Sequence, residues 1–163
     1  MIDEVWSSFA VLIFLSAFVA FIFMPFLVSN LFSTMDGGAQ DTIITLSRIL
    51  LLSPLFLGFS NFLGSIIQAH RRFALYALSP VLYNVGIIAG IIFLFPTLGI
   101  NGVVIGVVLG SMLHAMIQIP FTRKVGLAPD FIFPVALSRL KSIARLSLPR
   151  TLALTSMNLV MIV

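Results

Sequence analysis

Long apolar segments separated by short polar loops dominate this chain. The clearest stretch runs from Phe73 to Thr122 and contains no Asp, Glu, Lys or Arg. The hydrocarbon core of a bilayer is about 30 Å thick, and one helix crosses it with about 20 apolar residues, so this stretch is long enough for two crossings. A turn-like sequence from Phe95 to Gly102 divides it. The pattern therefore predicts a helical hairpin within a membrane.

The same pattern predicts five apolar segments in all. They run over about 5–32, 42–69, 75–95, 100–121 and 148–163. The fifth is shorter than the roughly 20 residues of a crossing, so we expect an incomplete span there. Between the fourth and fifth segments, 123–147 contains Pro129 and Pro134 and then mixes apolar residues with Arg139, Lys141 and Arg145. This connector predicts either a short amphipathic helix at the cytoplasmic interface or a plain basic linker.

The composition narrows the fold class further. It is 60% hydrophobic and 9% charged, whereas soluble domains are about 25% charged. We therefore predict an all-α, polytopic transmembrane helix bundle that forms a single membrane domain. The N-terminal segment begins with Asp3 and Glu4 and has a longer apolar run than a signal peptide, so a cleavable leader is not predicted. The absence of cysteine from the sequence excludes a disulfide framework, a thiol nucleophile and a Cys-based metal site.

The charges of the loops predict the orientation of the chain. Basic residues follow the second span, at Arg71 and Arg72, and the fourth span, at Arg123 and Lys124. The loop 33–41 has acidic residues and no basic one, and the turn 96–101 is uncharged. The basic loops alternate, so they fall on one side, which the positive-inside rule assigns to the cytoplasm. The N-terminus is then predicted to be cytoplasmic, and the net charge of +4 needs no nucleic-acid partner.

Two arginines are candidates for a substrate path. Arg48 is predicted about two turns inside the second span, where a charge costs at least ~2.5 kcal/mol and must face a cavity, a partner or the interface. It either lines a polar path for an anionic substrate or extends its side chain to the outer headgroups. Arg150, after Pro149, either contacts an anionic lipid headgroup or serves as a positive-inside anchor.

Polar residues inside the spans are the other candidates. His114 and Gln118 are four residues apart and share a helix face. This pair either relays protons or, as we favour, makes interhelical hydrogen bonds. Asn61 and Asn84 must also find partners inside a bilayer, by bridging helices or by lining a wet cavity.

Glycines at helical spacing predict close packing. They are Gly86 and Gly90 on the third span, and Gly102, Gly106 and Gly110 on the fourth. Small residues four apart let two helix backbones approach each other. The sequence has no pair of inward carboxylates, nucleophile–base pair or phosphate-binding loop, and no second histidine lies near His114. We therefore predict no metal, no cofactor and a transporter rather than an enzyme.

Several collinear motifs in this chain resemble those of the MurJ/MviN family. They are 68–73 (QAHRRF), 79–84 (SPVLYN), 99–102 (GING) with the glycines that follow, 118–120 (QIP), 148–150 (LPR), and Arg48 with Ser53 and Pro54. Each motif alone is weak, but their order and spacing together are fairly specific. The resemblance covers nearly the whole chain.

The resemblance implies a bacterial inner-membrane flippase for lipid II, the lipid-linked peptidoglycan precursor, and so a role in cell wall biogenesis and cell shape. Proteins of this kind have two pseudo-symmetric helical lobes around a central cavity and work by alternating access. This chain would supply part of the first lobe. The implied partners are lipid II, membrane lipids and the remainder of the same protein. Lipid II carries a diphosphate, which explains cationic residues in the cavity.

The chain departs from the family pattern in its extent. Its spans resemble the third to the seventh of a longer protein, so the family's first two helices and most of its second lobe have no counterpart here. We therefore expect an internal fragment. Two alternatives stay open: an exporter of another lipid-linked saccharide or a drug in the same superfamily, and a non-transporting membrane scaffold subunit.

Overall fold

The computed structural model describes residues 2–127 and Arg145. Within that part of the chain every regular element is helical, and four helical spans are long and apolar enough to cross a membrane. The prediction of an all-α transmembrane bundle is therefore confirmed. The predicted fifth segment, Arg150 and the connector beyond Leu127, except Arg145, lie outside the described residues.

Seven α-helices and one π-helical segment make up the described part of the chain. They are α1 (Ile2–Leu31), α2 (Gly37–Leu50), α3 (Leu52–Ala69), α4 (Phe73–Ala89), the π-helix (Gly90–Leu94), α5 (Phe95–Leu98), α6 (Ile100–Met116) and α7 (Ile119–Lys124). The first span is α1. The second joins α2 and α3, the third joins α4, the π-helix and α5, and the fourth joins α6 and α7.

The chain divides into two compact units, 1–9 with 129–163, and 10–128. The described part of the first unit contains the first turns of α1. There the hydroxyl of Ser7 donates to the carbonyl oxygen of Asp3, and that of Ser8 donates to Glu4, both at 2.7 Å. These bonds satisfy hydroxyls on the same helix. All the features below belong to the second unit.

The second span begins earlier than the predicted residue 42. Helix α2 starts at Gly37 because Asp36 caps it: the Asp36 carboxylate accepts a hydrogen bond from the backbone N–H of Ala39 at 3.3 Å. A side-chain acceptor at this position satisfies one of the free N–H groups of a first helical turn. The polar residues that the hydropathy pattern assigns to a loop therefore form the first turn of α2.

Two prolines each follow a break inside a span. The chain leaves regular helix at Leu51, between α2 and α3, and again between α6 and α7. A proline within a helix removes one hydrogen bond and crowds the carbonyl group four residues earlier. For Pro54 that carbonyl belongs to Leu50, and for Pro120 it belongs to Met116, which are the last residues of α2 and α6.

The predicted turn from Phe95 to Gly102 is longer than the observed one. The helical course continues through Pro96 to Leu98 and reverses at Gly99, whose φ is 59°. Pro96 does not end the helical course: it follows the π-helical turn Gly90–Leu94 and lies in the first turn of α5. The reversal uses a glycine because L-residues rarely adopt this backbone conformation.

The third and fourth spans are in backbone contact through their glycines. A Cβ atom built on Gly86 would overlap the backbone of Gly110, and one on Gly90 would lie 2.5 Å from the Cα of Gly106. One on Gly102 would overlap the carbonyl group of Leu94. Only glycine leaves room for such an approach. This hairpin carries buried polar residues on both of its spans, among them Ser79 on the third and His114 and Gln118 on the fourth.

Candidate functional site

Arg48 lies in the wall of an open groove between α1 and the junction of α2 with α3. The groove has a volume of about 430 Å³. Its other lining residues are all apolar: Phe14, Ala17, Phe18, Phe21, Ile49, Leu51, Leu52 and Leu55. A single cation in apolar walls is poorly screened, so it attracts an anion more strongly than it would in water.

The break in the second span helps to form this groove. Leu51 stands at the break and Leu52 begins α3, and both line the groove with Arg48. A rise of about 1.5 Å per residue places Arg48 about 17 Å along the helix axis from Gly37. The backbone of Arg48 therefore lies within the span rather than at its end.

The side chain of Arg48 is half-buried and packs on an aromatic ring. Its guanidinium carbon lies 4.6 Å from the centroid of the Phe21 ring, which is within the range of a cation–π interaction. Its Nε atom is buried and has no hydrogen-bond partner in the described part of the chain. The ring holds the cation in the groove and leaves this N–H donor unused.

A second polar site lies in the interior of the same unit, around Gln118. This side chain is fully buried. Its Nε2 donates to the hydroxyl of Ser60 at 2.6 Å and to that of Ser79 at 3.0 Å. Ser60 belongs to α3 and Ser79 to α4, while Gln118 stands between α6 and α7. One amide therefore connects three spans.

His114 completes this cluster. Ser60 Oγ lies 2.5 Å from His114 Nδ1 and 3.0 Å from the His114 carbonyl oxygen. A serine hydroxyl has one proton and two lone pairs. If Ser60 donates to the carbonyl oxygen, it accepts from Nδ1–H of His114 and from Gln118, and all of its bonding capacity is used. This geometry favours interhelical bonding over proton relay for the His114 and Gln118 pair.

One polar atom of the cluster differs from the others in its hydrogen bonding. The Oε1 of Gln118 is buried without a hydrogen-bond partner in the described part of the chain. It faces Gly64, where an added Cβ would lie 3.4 Å from Oε1 and 3.1 Å from the Tyr76 ring. Because Gly64 has no side chain, the Gln118 amide and the Tyr76 ring can both pack against its backbone.

Asn61 and Asn84 do not join either group. Asn61 is exposed on α3. Asn84 is also exposed, and its Nδ2 donates to the carbonyl oxygen of Pro80 on its own helix at 3.0 Å. Arg150 lies outside the described residues. The structure thus brings His114 and Gln118 together and places Arg48, apart from them, in the apolar groove.

Sequence reasoning missed Ser60 and Ser79. Both hydroxyls are fully buried. A serine in an apolar span usually bonds to a carbonyl of its own helix, so its presence gives no signal of a contact with another helix. The signal that existed was the pair His114 and Gln118, which needed partners on facing helices.

Comparison with known proteins decides the family. The family model for the lipid II flippase MurJ matches residues 1–163. This chain belongs to the MurJ family. The match covers all five predicted segments, including those outside the described residues.

Two relatives illustrate the similarity. The chain is 29% identical over 96 residues to the lipid II flippase MurJ of Burkholderia cenocepacia, which covers 58% of this chain and 19% of that protein. It is 35% identical over 74 residues to the probable lipid II flippase MurJ of Haemophilus influenzae, which covers 44% of this chain and 14% of that protein. The chain thus matches less than a fifth of the length of either relative.

Proposed function

We propose that this chain is part of a flippase that moves lipid II across the bacterial inner membrane by alternating access. The observation that carries the proposal is the match of the MurJ family model to residues 1–163. Both relatives bear the name of a lipid II flippase. The four apolar spans of the described residues suit such a function.

Arg48 is the residue that we assign to the substrate path. The diphosphate of lipid II is an anion, and a guanidinium group binds phosphate oxygens through paired hydrogen bonds. The position of Arg48 in the wall of an apolar groove supports this role. An alternative position at the headgroups is less favoured, because the guanidinium packs on Phe21 at 4.6 Å.

The proposal includes an orientation. Four basic residues lie on one side of the spans. Arg71 and Arg72 connect the end of the second span to the start of the third, and Arg123 and Lys124 end the fourth. The positive-inside rule places such residues in the cytoplasm. The N-terminus would then be cytoplasmic, and the reversal at Gly99 would face outward.

Replacement of Arg48 in the intact protein tests its role. The chromosomal copy is exchanged for Arg48→Ala or Arg48→Lys, and the lipid II on the outer leaflet is quantified with a membrane-impermeant probe. We expect Arg48→Ala to lower the rate of lipid II appearance by about tenfold to a hundredfold, the loss of one charge-assisted hydrogen bond of about 1.5–3 kcal/mol. Arg48→Lys should retain an intermediate rate, since it keeps the charge but not the paired geometry.

Arg123→Ala is the matched control, because it also removes one positive charge but from an exposed residue at the end of a span. Its rate should stay within about twofold of the original. Protein abundance in the membrane is measured for each variant. Equal rates for Arg48→Ala and the control, at equal abundance, would remove Arg48 from the path.

A further inference from the structure

A second groove, away from Arg48, lies where the third span begins and the fourth span ends. It has a volume of about 550 Å³. Its lining residues are Arg72, Ala74, Leu75, Phe121, Lys124 and Val125. They come from the start of α4, from α7 and from the residue after α7. Nothing in the flippase proposal uses this groove.

The two cations of the groove lie at one level relative to the spans. Arg72 directly precedes the third span, which begins at Phe73, and Lys124 is the last residue of the fourth. Both side chains are exposed. Charges at the ends of spans meet the headgroup region of a bilayer. The groove therefore places two positive charges where lipid phosphates are found.

The remaining walls of the groove are apolar and lie deeper along the spans. Leu75 is three residues after Arg72, and Phe121 is three residues before Lys124, so each lies about one turn farther from the interface. Both are half-buried. The ring of Phe121 is held edge-on by His70, with 5.9 Å between the ring centroids. The groove thus has a cationic mouth and an apolar floor. A phospholipid has the matching arrangement, with its charged headgroup at the membrane surface and its acyl chains deeper.

The backbone at this end carries partial charges of both signs. Helices α3 and α7 end here, and Arg72 N–H donates to the carbonyl oxygen of Ile67 at 3.1 Å while Leu127 N–H donates to that of Thr122 at 3.0 Å. Helix α4 begins here without a side-chain cap, and a helix N-terminus carries a partial positive charge.

From this arrangement we propose that the groove binds one anionic glycerophospholipid from the leaflet that the basic loops face. Its phosphate lies between Arg72 and Lys124, and the upper part of an acyl chain runs along Leu75, Phe121 and Val125. The complementary charges at the mouth and the apolar floor select a lipid over a free anion. The proposal goes beyond flipping and holds whether or not the chain moves lipid II.

Native mass spectrometry of the intact protein in detergent tests this site, with phosphatidylglycerol as the probe and phosphatidylcholine as the zwitterionic comparison. The test variant is the double replacement Arg72→Gln with Lys124→Gln. A basic residue near an anionic lipid surface contributes about 1 kcal/mol, so two should weaken phosphatidylglycerol binding by about tenfold or more. Binding of phosphatidylcholine should be weak in both proteins.

The matched control is Arg71→Gln with Arg123→Gln. It removes the same charge from exposed residues at the same end of the spans, but neither residue lines the groove. We expect its phosphatidylglycerol affinity to stay within about threefold of the original. The thermal unfolding midpoint is recorded for both double variants to check that they remain folded. A third variant, Leu75→Asn, changes the floor of the groove, keeps both charges and should also weaken lipid binding.

Three results would overturn the proposal. An equal loss of affinity in both double variants would mean that the lipid responds to general surface charge. Displacement of phosphatidylglycerol by millimolar inorganic phosphate would make the groove a site for a free anion. Preferred binding of undecaprenyl diphosphate over phosphatidylglycerol, lost in the groove variant, would make it part of the cargo route.

Discussion

At the scale of single residues, the amide of Gln118 connects three spans through hydrogen bonds. It donates to Ser60 and Ser79 on two other spans. Hydrogen bonds between helices in membranes contribute about 0.6 kcal/mol on average and up to about 1.7 kcal/mol. Its Oε1 atom has no hydrogen-bond partner among the described residues and offsets part of this gain, since a buried acceptor without a partner is costly.

We therefore predict that Gln118→Leu lowers the free energy of unfolding by about 1 kcal/mol, because Ser60 and Ser79 each lose a donor. Unfolding by SDS titration in mixed micelles measures this change. The control is Asn84→Leu, which removes an exposed amide bonded only within α4 and should change the free energy by less than about 0.5 kcal/mol. A Gln118→Leu protein as stable as the control would contradict a bridging role for this amide.

Which parts of the site can be read from the sequence depends on distance along the chain. The spacing of His114 and Gln118 already places them on one face of a helix. Ser60 lies 54 residues before His114, and Phe21 also lies far before Arg48 in the sequence, on another span. Local periodicity cannot predict such contacts, because they depend on how whole spans pack against each other. Arg48 could thus be singled out by its charge, but its aromatic partner could not.

At the scale of elements, prolines have different consequences in different spans. Pro25 and Pro80 lie inside continuous helices, whereas breaks precede Pro54 and Pro120. All four appear alike in the sequence. The outcome depends on whether neighbouring groups satisfy the freed carbonyl, and this is a property of the packed bundle. Four apolar helical spans among the described residues could be anticipated from hydropathy, but the breaks beside Arg48 and Gln118 could not.

The glycine contacts between the third and fourth spans give a prediction for packing. We expect Gly110→Ala to lower the free energy of unfolding by at least about 2 kcal/mol, because its Cβ would overlap the carbonyl oxygen of Tyr83 and a backbone cannot move aside cheaply. SDS titration again measures the change. The control is Gly37→Ala, where a Cβ meets nothing within 4 Å. Similar stabilities of these two variants would argue against backbone contact between the spans.

The reversal between the third and fourth spans gives a separate prediction. Gly99→Ala should cost about 1–3 kcal/mol of unfolding free energy, although a Cβ there meets nothing within 4 Å. The cost comes from its φ of 59°, a conformation that strains L-residues. The same titration distinguishes this case from Gly37→Ala, where no positive φ is involved. A neutral Gly99→Ala would place the reversal at another residue.

At the scale of the whole molecule, the distribution of charge predicts the side of the membrane on which each loop lies. The chain contains no cysteine, so single cysteines introduced into it report their own accessibility. We predict that Thr97→Cys reacts with a membrane-impermeant maleimide in intact spheroplasts, whereas Arg71→Cys reacts only after permeabilisation. Both positions are exposed. The protein without an introduced cysteine corrects for background, and the opposite labelling pattern would reverse the proposed orientation.

Family membership and the apolar spans make transport of lipid II the central claim. The most direct measurement uses the intact purified protein in vesicles that contain fluorescent lipid II, with a membrane-impermeant quencher outside. We expect lipid II from the inner leaflet to become accessible much faster in these vesicles than in protein-free ones, while labelled phosphatidylcholine in the same vesicles should not. Equal rates with and without the protein would rule out transport of lipid II, and equal acceleration of both lipids would indicate nonspecific disturbance of the bilayer.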